Sequence, residues 1–305
     1  MRTLFAKGSI GDLVKGIQTA LTKAGFDTRG VDGWYGQDTT NAVLAFQRAQ
    51  SLDATGTIDE ATWPDLMAEP VPAVSQRSLQ LTAAFEGNGF ELAEGNFDGA
   101  LLTWGIIGFT LASGEIQKII LAINDSAPQL MDQAFGESKA ELLQLIRASR
   151  SEQTTWANSH TLPNGGLVQP WRAMFATFGS FSEVQAEQLR HVQTDYVRPA
   201  IQTAKQLGLQ SELGLGLAFD IHVQNGGITN MARAQIEGQS TSSMAEQDLR
   251  VIVANAVADF SRPAYMEDVR QRKLAIAKGE GRVHAYNYVL QNWGLDAAFR
   301  ASELS

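Results

Sequence analysis

Residues 83–109 decide the reading. Ala83-Ala84-Phe85-Glu86 closes an apolar helical stretch, Asn96-Phe97-Asp98-Gly99 is a polar turn, and Thr103-Trp104-Gly105-Ile106-Ile107-Gly108-Phe109 is an apolar run broken by glycine. The spacing predicts a helix over about 78–86 with Leu79, Ala83 and Glu86 along one side. Glycines at 87, 89, 95, 99, 105, 108 and 114 predict hairpins and turns over 87–114. Two carboxyl groups, Glu86 and Asp98, therefore sit in unlike surroundings. Apolar neighbours favour a protonated carboxyl and polar ones an ionised carboxyl, which is what cleavage of a glycosidic bond requires of its acid and its base. Thr103, five positions after Asp98, carries a hydroxyl suited to holding a water. The run that begins at Trp104 reads as a buried strand or turn closing the floor of such a site. The bland alternatives are a helix-end carboxylate bonded to turn amides for Glu86 and a turn-forming residue for Asp98.

Outward from this stretch the pattern is helical on both sides. Towards the C-terminus, Ser182-Glu183-Val184-Gln185 and Ser243-Met244-Ala245-Glu246 read as capping boxes, the first opening a long helix towards Leu207. Ser261 with Pro263 reads as a further helix start. The stretch Asp220-Ile221-His222-Val223-Gln224-Asn225-Gly226-Gly227 ends an apolar helix. Gln224 and Asn225 there are candidate hydrogen-bonding partners for sugar hydroxyls, and His222 is either a substrate contact or a satisfied core residue. Arg270, Arg272 and Lys273 read as a solvated helix face, or as contacts to stem-peptide carboxylates. Towards the N-terminus, Val14, Ile17 and Leu21 recur at helical spacing and Gly25 ends that helix. Residues 29–36 form a turn-rich loop. A second helix carries Ala42, Val43 and Phe46, and a short third one carries Trp63 and Leu66. Pro70 and Pro72 place an extended linker at 68–77, between a domain at 1–67 and a larger one at 78–305.

Residues 8–67 resemble the three-helix peptidoglycan-binding domain of cell-wall hydrolases. The match rests on Asp32-Gly33, Tyr35-Gly36 and Thr39, followed by Ala42-Val43 and Phe46-Gln47, with Leu52, Gly56, Ile58, Thr62 and Leu66 beyond. The resemblance implies contact with the wall through Asp32, Trp34 and Tyr35, although the two rings serve equally well to cover the small core. Glu86, Asp98, Thr103 and the Gly-Ile-Ile-Gly-Phe segment resemble the catalytic segment of glycoside hydrolase family 46 chitosanases, in the lysozyme superfamily. That resemblance implies Glu86 as general acid, Asp98 as general base and Thr103 as the residue positioning water, with Trp104 beside the substrate. Three departures stand out. The interval from Glu86 to Asp98 is several residues shorter than the family usually shows. Ala100 and Leu101 stand where the family has a charged residue and a small turn residue. The acidic residue expected further on corresponds to Glu115. The implied fold is mainly α (α+β): a small three-helix N-terminal domain plus a lysozyme-like helical domain with a short β-hairpin wing.

Composition excludes other classes. At 305 residues, 44% of them hydrophobic, the chain suffices for two domains with cores of their own. A net charge of −9 argues against a phosphate-tracking nucleic-acid binder and against loose adsorption to anionic membranes. With no cysteine there is no disulfide framework, no thiolate metal site and no Cys/His amidase. His160, His191, His222 and His284 make no His-Glu-x-x-His motif, and no Gly-x-Ser-x-Gly elbow occurs. No metal and no cofactor are expected. No apolar run reaches the roughly 18 residues of a membrane span, and Lys7, Gly8 and Asp12 interrupt any signal-peptide core. The expectation is a monomeric peptidoglycan glycosidase, a bacteriolytic muramidase of the endolysin type. It would be made in the cytoplasm without a signal peptide and act on the cell wall, in the periplasm, after holin release or secretion. A lytic transglycosylase using Glu86 alone, a chitosanase and a non-catalytic wall-binding protein are the alternatives. Hydrolysis by Glu86 and Asp98 with inversion requires carboxyls roughly 6.5–9.5 Å apart.

Overall fold

The structure, a computed structural model, describes residues 2–87, 89–96, 99–241 and 243–304. The chain forms two compact units, one of residues 1–85 and 196–305, the other of residues 86–195. It is mainly helical with small antiparallel sheets, as the sequence implies.

In the first unit, β1 (Thr3–Phe5) pairs with β2 (Ile58–Asp59) around α1 (Asp12–Lys23), α2 (Gln37–Ala49) and α3 (Thr62–Met67). Their apolar faces meet in a core containing Phe5, Val14, Ile17, Leu21, Val43, Phe46 and Trp63. Tyr35 lies in the same core, fully buried, with its hydroxyl donating to the Gly56 carbonyl at 3.0 Å. It is therefore a structural residue and not a wall contact. Its neighbour Trp34 keeps half of its surface exposed. Helix α4 (Val74–Glu86) starts earlier than the sequence predicts, so residues 74–77 of the expected linker form its first turn. Burial explains the extension: Val74, Ser75, Arg77 and Ser78 all face inward, and Pro72 lies before the helix rather than in it.

In the second unit, β3 (Ala93–Glu94), β4 (Thr103–Trp104) and β5 (Phe109–Thr110) form a three-stranded antiparallel sheet in sequence order. Helices α5 (Glu115–Ser126), α6 (Pro128–Phe135), α7 (Lys139–Leu145), α8 (Arg150–Ser159), α9 (Trp171–Ser180) and α10 (Ser182–Val192) follow. The inner face of the sheet carries Ala93, Trp104 and Phe109 in register. Trp104 is fully buried, stacked on Phe178 at 5.4 Å, with its indole N–H donating to the Phe175 carbonyl at 3.2 Å. The expectation that Trp104 touches substrate is corrected by this packing. The strand alternation turns it into the core, and its one polar group is satisfied there.

A π turn at Gln193–Val197 leads from α10 into α11 (Arg198–Leu207), so the single long helix expected from Ser182 to Leu207 is interrupted. The remainder of the first unit comprises α12 (Glu212–Asn225), α13 (Asn230–Gln239), α14 (Glu246–Asp259), α15 (Met266–Lys278) and the hairpin β6 (Glu280–Val283)–β7 (Tyr286–Val289). Neither expected capping box forms. Ser182 is already inside its helix and bonds Glu183, while Glu246 reaches back to accept from Ser211. Among the described residues a capping box forms at Ser149 and Glu152. Residues 263–265 are a short 3-10 turn before α15.

Replacing Trp104 with Ala removes the centre of the aromatic cluster in the second unit. The expected cost is ~3–5 kcal/mol in a denaturant titration. A loss under ~1 kcal/mol, as for an exposed ring, would contradict its placement.

Candidate active site

Glu86 is the last residue of α4, with an exposed side chain. The helix stops because Gly87 adopts φ +67°, a left-handed conformation that favours glycine and closes helix C-termini. The residues just before Glu86 are held firmly. Thr82 donates to Asp220 Oδ1 at 2.9 Å. The Phe85 ring carries the Arg272 guanidinium 5.0 Å above it and packs edge-on against Tyr288 at 4.7 Å. The backbone thus delivers Glu86 to the surface from a fixed stem.

The sheet of the second unit carries the other sequence-derived residues. Glu94 stands opposite Thr103, and Thr103 opposite Thr110, so their side chains share the outer face of the sheet. All three are partly exposed. Arg172 approaches Glu94 to 3.8 Å. Asp98 lies outside the described residues, and with it the expected separation of the two carboxyls. The turn that leads from it into β4 is described. Leu101 has φ +71° with its side chain buried, and its amide donates to Asn96 Oδ1 at 3.1 Å. A bulky residue in that conformation stores strain on the order of 1–3 kcal/mol, held by its burial. This is the consequence of leucine standing where the family has a small turn residue. Glu115 opens α5 and accepts from the Thr110 amide at 3.2 Å and the Ser113 hydroxyl at 2.6 Å, closing the turn after β5.

The remaining sequence-derived candidates lie at the end of α12, in the first unit. This helix is buried from Glu212 to Ile221, and Asp220 lies in it with no exposed surface. Such a carboxylate is tenable only if paired. Arg272 donates to it at 2.7 Å and Lys273 at 2.5 Å. Burial alone would push the Asp220 carboxyl up, but the two cations and their hydrogen bonds more than offset it and hold the group well below the ordinary carboxylate range. Arg272 and Lys273 are consequently core residues, which corrects their reading as a solvated face. Arg270 stays half-buried and pairs with Asp259 at 2.7 Å.

Lys273 also donates to Gln224 Oε1 at 2.6 Å, turning that amide towards a pocket of ≈ 490 Å³. Gln224 and Asn225 line this pocket with Phe260, Arg262, Tyr265 and Asp268. Asn225 Oδ1 is buried and has no hydrogen-bond partner among the described residues. His222 does not line it. The ring sits 2.8 Å from the Thr203 hydroxyl and under the Gly227 backbone, and burial lowers its basicity. The reading of His222 as a satisfied residue fits this placement better than substrate contact. In the N-terminal loop, Asp32 accepts from Gln18 at 2.8 Å and from the Trp34 amide at 2.9 Å, and these bonds lower its pKa. Asp32 therefore shapes the loop that presents Trp34.

Sequence reasoning missed Asp268, Phe260, Arg262 and Tyr265 as pocket residues. It also missed the pairing of Asp220, for which a signal existed. Arg272 and Lys273 fall three and four positions after Val269 and come before Ile276, on the apolar side of their helix, and an aspartate inside an apolar helix demands such partners.

A mainly helical chain with a small three-stranded antiparallel sheet fits the lysozyme-like architecture that the sequence implies. The chain belongs to glycosyl hydrolase family 46, whose profile matches residues 80–263. Residues 10–64 match the peptidoglycan binding domain. Among solved structures, the native chitosanase of Bacillus subtilis MY002 is 17% identical and superimposes with a TM-score of 0.51, over 71% of this chain and 95% of that one. A mutant of that chitosanase complexed with 6 GlcN gives 16% identity and a TM-score of 0.52 with the same coverage. A family 46 chitosanase of Gynuella sunshinyii complexed with chitotetraose is 18% identical, with a TM-score of 0.49 over 68% of this chain and 87% of that one. For the two Bacillus subtilis structures, at these identities, the likeness concerns the fold.

Asp220→Asn removes the buried carboxylate to which Arg272 and Lys273 donate, and the expected loss is ~3–5 kcal/mol at pH 7. The sign with pH follows from the lowered carboxyl. Its contribution is complete above the ordinary value of 3.8 and is lost as pH falls from there through the folded-state value. The variant should therefore differ most from the parent at neutral pH and converge with it in strong acid. Denaturant titrations from pH 7 to pH 2 check this, and a gap that widens in acid would contradict it.

Proposed function

We propose that the chain is a peptidoglycan glycosidase of the muramidase type, the activity of an endolysin. The observation that carries this reading is one chain holding a peptidoglycan binding domain at 10–64 and a family 46 glycosyl hydrolase domain at 80–263. A domain that recognises the wall polymer concentrates an attached hydrolase on it. In this reading residues 1–67 bind the wall, with the exposed Trp34 ring on the Asp32 loop as the contact surface, and residues 78–305 cut it. Glu86 donates its proton to the glycosidic oxygen as the bond from that oxygen to the anomeric carbon breaks. Asp98 takes a proton from a water held by the Thr103 hydroxyl, and the water oxygen bonds the anomeric carbon from the opposite face. Gln224 and Asn225 hydrogen-bond sugar hydroxyls in the pocket at the end of α12, where the unpartnered Asn225 Oδ1 gains a donor. The protein reaches the wall from the cytoplasm and acts there as a monomer.

A chitosanase is the second reading, favoured by the similar solved structures, which are chitosanases. A chain of net charge −9 also attracts a polyamine glycan. Sugar release from chitosan and from purified sacculi, measured side by side, separates the two.

Glu86→Gln removes the proton donor without changing the shape of the side chain. It should clear purified sacculi at least ~10²-fold more slowly than the parent. Mass spectrometry of the parent's digest should show reducing muramic or glucosamine ends. Anhydro-muramic ends would instead assign a transglycosylase using Glu86 as both acid and base. Equal clearance by variant and parent would contradict the role given to Glu86.

A further inference from the structure

Helix α4 has a different partner at each end. Its first half is bonded to the N-terminal domain: Gln80 Oε1 accepts from the Leu13 amide at 3.1 Å, so close to Gly11 that a Cβ there would lie 2.5 Å from that oxygen. Arg77 donates to Glu212 at 2.7 Å, and Arg2 of the N-terminal domain donates to the same carboxylate oxygen at 2.7 Å. Arg77 is 1% exposed and Glu212 fully buried. Alongside, Asn292 exchanges hydrogen bonds with the backbone of Ala6 and Lys7, at 3.3 and 3.0 Å. Gly294 lets Leu4 approach so closely that a Cβ would meet its Cα at 3.0 Å. A buried ion cluster shared between two domains, with backbone approaching backbone at glycine, is a built seam and not a loose contact. The last residue of the same helix is Glu86. Gln80 and Glu86 are six residues apart, about 9 Å along the axis.

From this arrangement we infer that the N-terminal domain is a positioning element of the glycosidase. Arg2, Gln80 and Asn292 hold it on α4, so that polymer bound at the domain is presented to Glu86 in a fixed register. This rests on the reading of residues 1–67 as wall-binding and of Glu86 as the acid, and it differs from tethering. A tether raises the local concentration of enzyme whatever its length allows, whereas a docked domain favours polymer long enough to engage both sites. The substrate class selected is a long wall glycan over its short fragments.

Two full-length variants test this, each assayed on purified sacculi and on six-sugar glycan fragments released from the same sacculi. The first is Arg2→Ala/Gln80→Ala/Asn292→Ala, which opens the seam. The second inserts a Gly/Ser segment between Ala68 and Pro70, which lengthens the connection and leaves the seam intact. The insertion should leave the ratio of sacculus rate to fragment rate unchanged. The triple variant should lower that ratio about tenfold, with its fragment rate and its retention on sacculi unchanged and with residues 68–73 newly open to protease. An unchanged ratio in a triple variant that has become protease-sensitive overturns the fixed register. A triple variant whose 68–73 segment stays as resistant as the parent's overturns it too, since these contacts would then not hold the domain. A fall in the fragment rate as large as the fall on sacculi would make the seam merely structural. A parent inactive on sacculi sinks the wall-glycan reading and the register with it, whereas activity on sacculi with an unchanged ratio sinks only the register.

Discussion

An ionised carboxylate in the middle of an apolar helix has to be neutralised by its neighbours, and the way Asp220 meets that demand organises the first unit. Its two cations come from one turn of α15, and its third partner, Thr82, comes from α4. Three helices are thereby locked at one point. The same cations reach outward, Arg272 over the Phe85 ring and Lys273 to the Gln224 amide. One buried charge thus fixes both the stem that carries Glu86 and the amide that lines the pocket at the end of α12. Apolar side chains in place of the whole cluster, Asp220 together with Arg272 and Lys273, would serve packing as well or better, because buried ion pairs seldom add net stability. What the charge supplies is orientation, since hydrogen bonds to a carboxylate specify direction where apolar contacts do not.

The sheet solves a different problem. Its strands are only two residues long, so they cannot hold themselves. Trp104 anchors them against Phe175 and Phe178 of α9 and Phe109 against His191 of α10, and the alternation of the strands then forces Glu94, Thr103 and Thr110 outward together. A polar outer face is the by-product of an apolar inner one. The strained Leu101 belongs to the same scheme, because its buried side chain pins the turn that enters β4.

Much of this was legible in the sequence. Helical periodicity located α1, α2 and α4, glycine spacing located the sheet, and the motif around Asp32 and Phe46 identified the N-terminal domain. What escaped the sequence has physical causes. Tyr35 and Trp34 are adjacent and chemically alike, and only the fold decides that one ring fills the core while the other stays in water. Trp104 follows Thr103, and strand alternation sends neighbours to opposite faces, so a motif that names both as site residues has to be wrong about one. Serine followed by glutamate or glutamine three residues on signals a cap, but at 182 and 243 tertiary partners claimed the side chains or shifted the helix start. Pro70 and Pro72 suggested a longer linker than exists, because the burial of Val74, Ser75 and Arg77 extends α4 towards them.

The proposed reaction pairs a carboxylic acid at the tip of α4, Glu86, with a second carboxyl, Asp98, water entering from the face opposite the leaving sugar. Proton NMR of the first products, recorded before the sugar ends mutarotate, tests this most directly. Two carboxyls acting as acid and base on opposite faces predict new reducing ends of inverted anomeric configuration. Ends of retained configuration would mean that a protein carboxylate, not water, attacks the anomeric carbon, and would contradict the account.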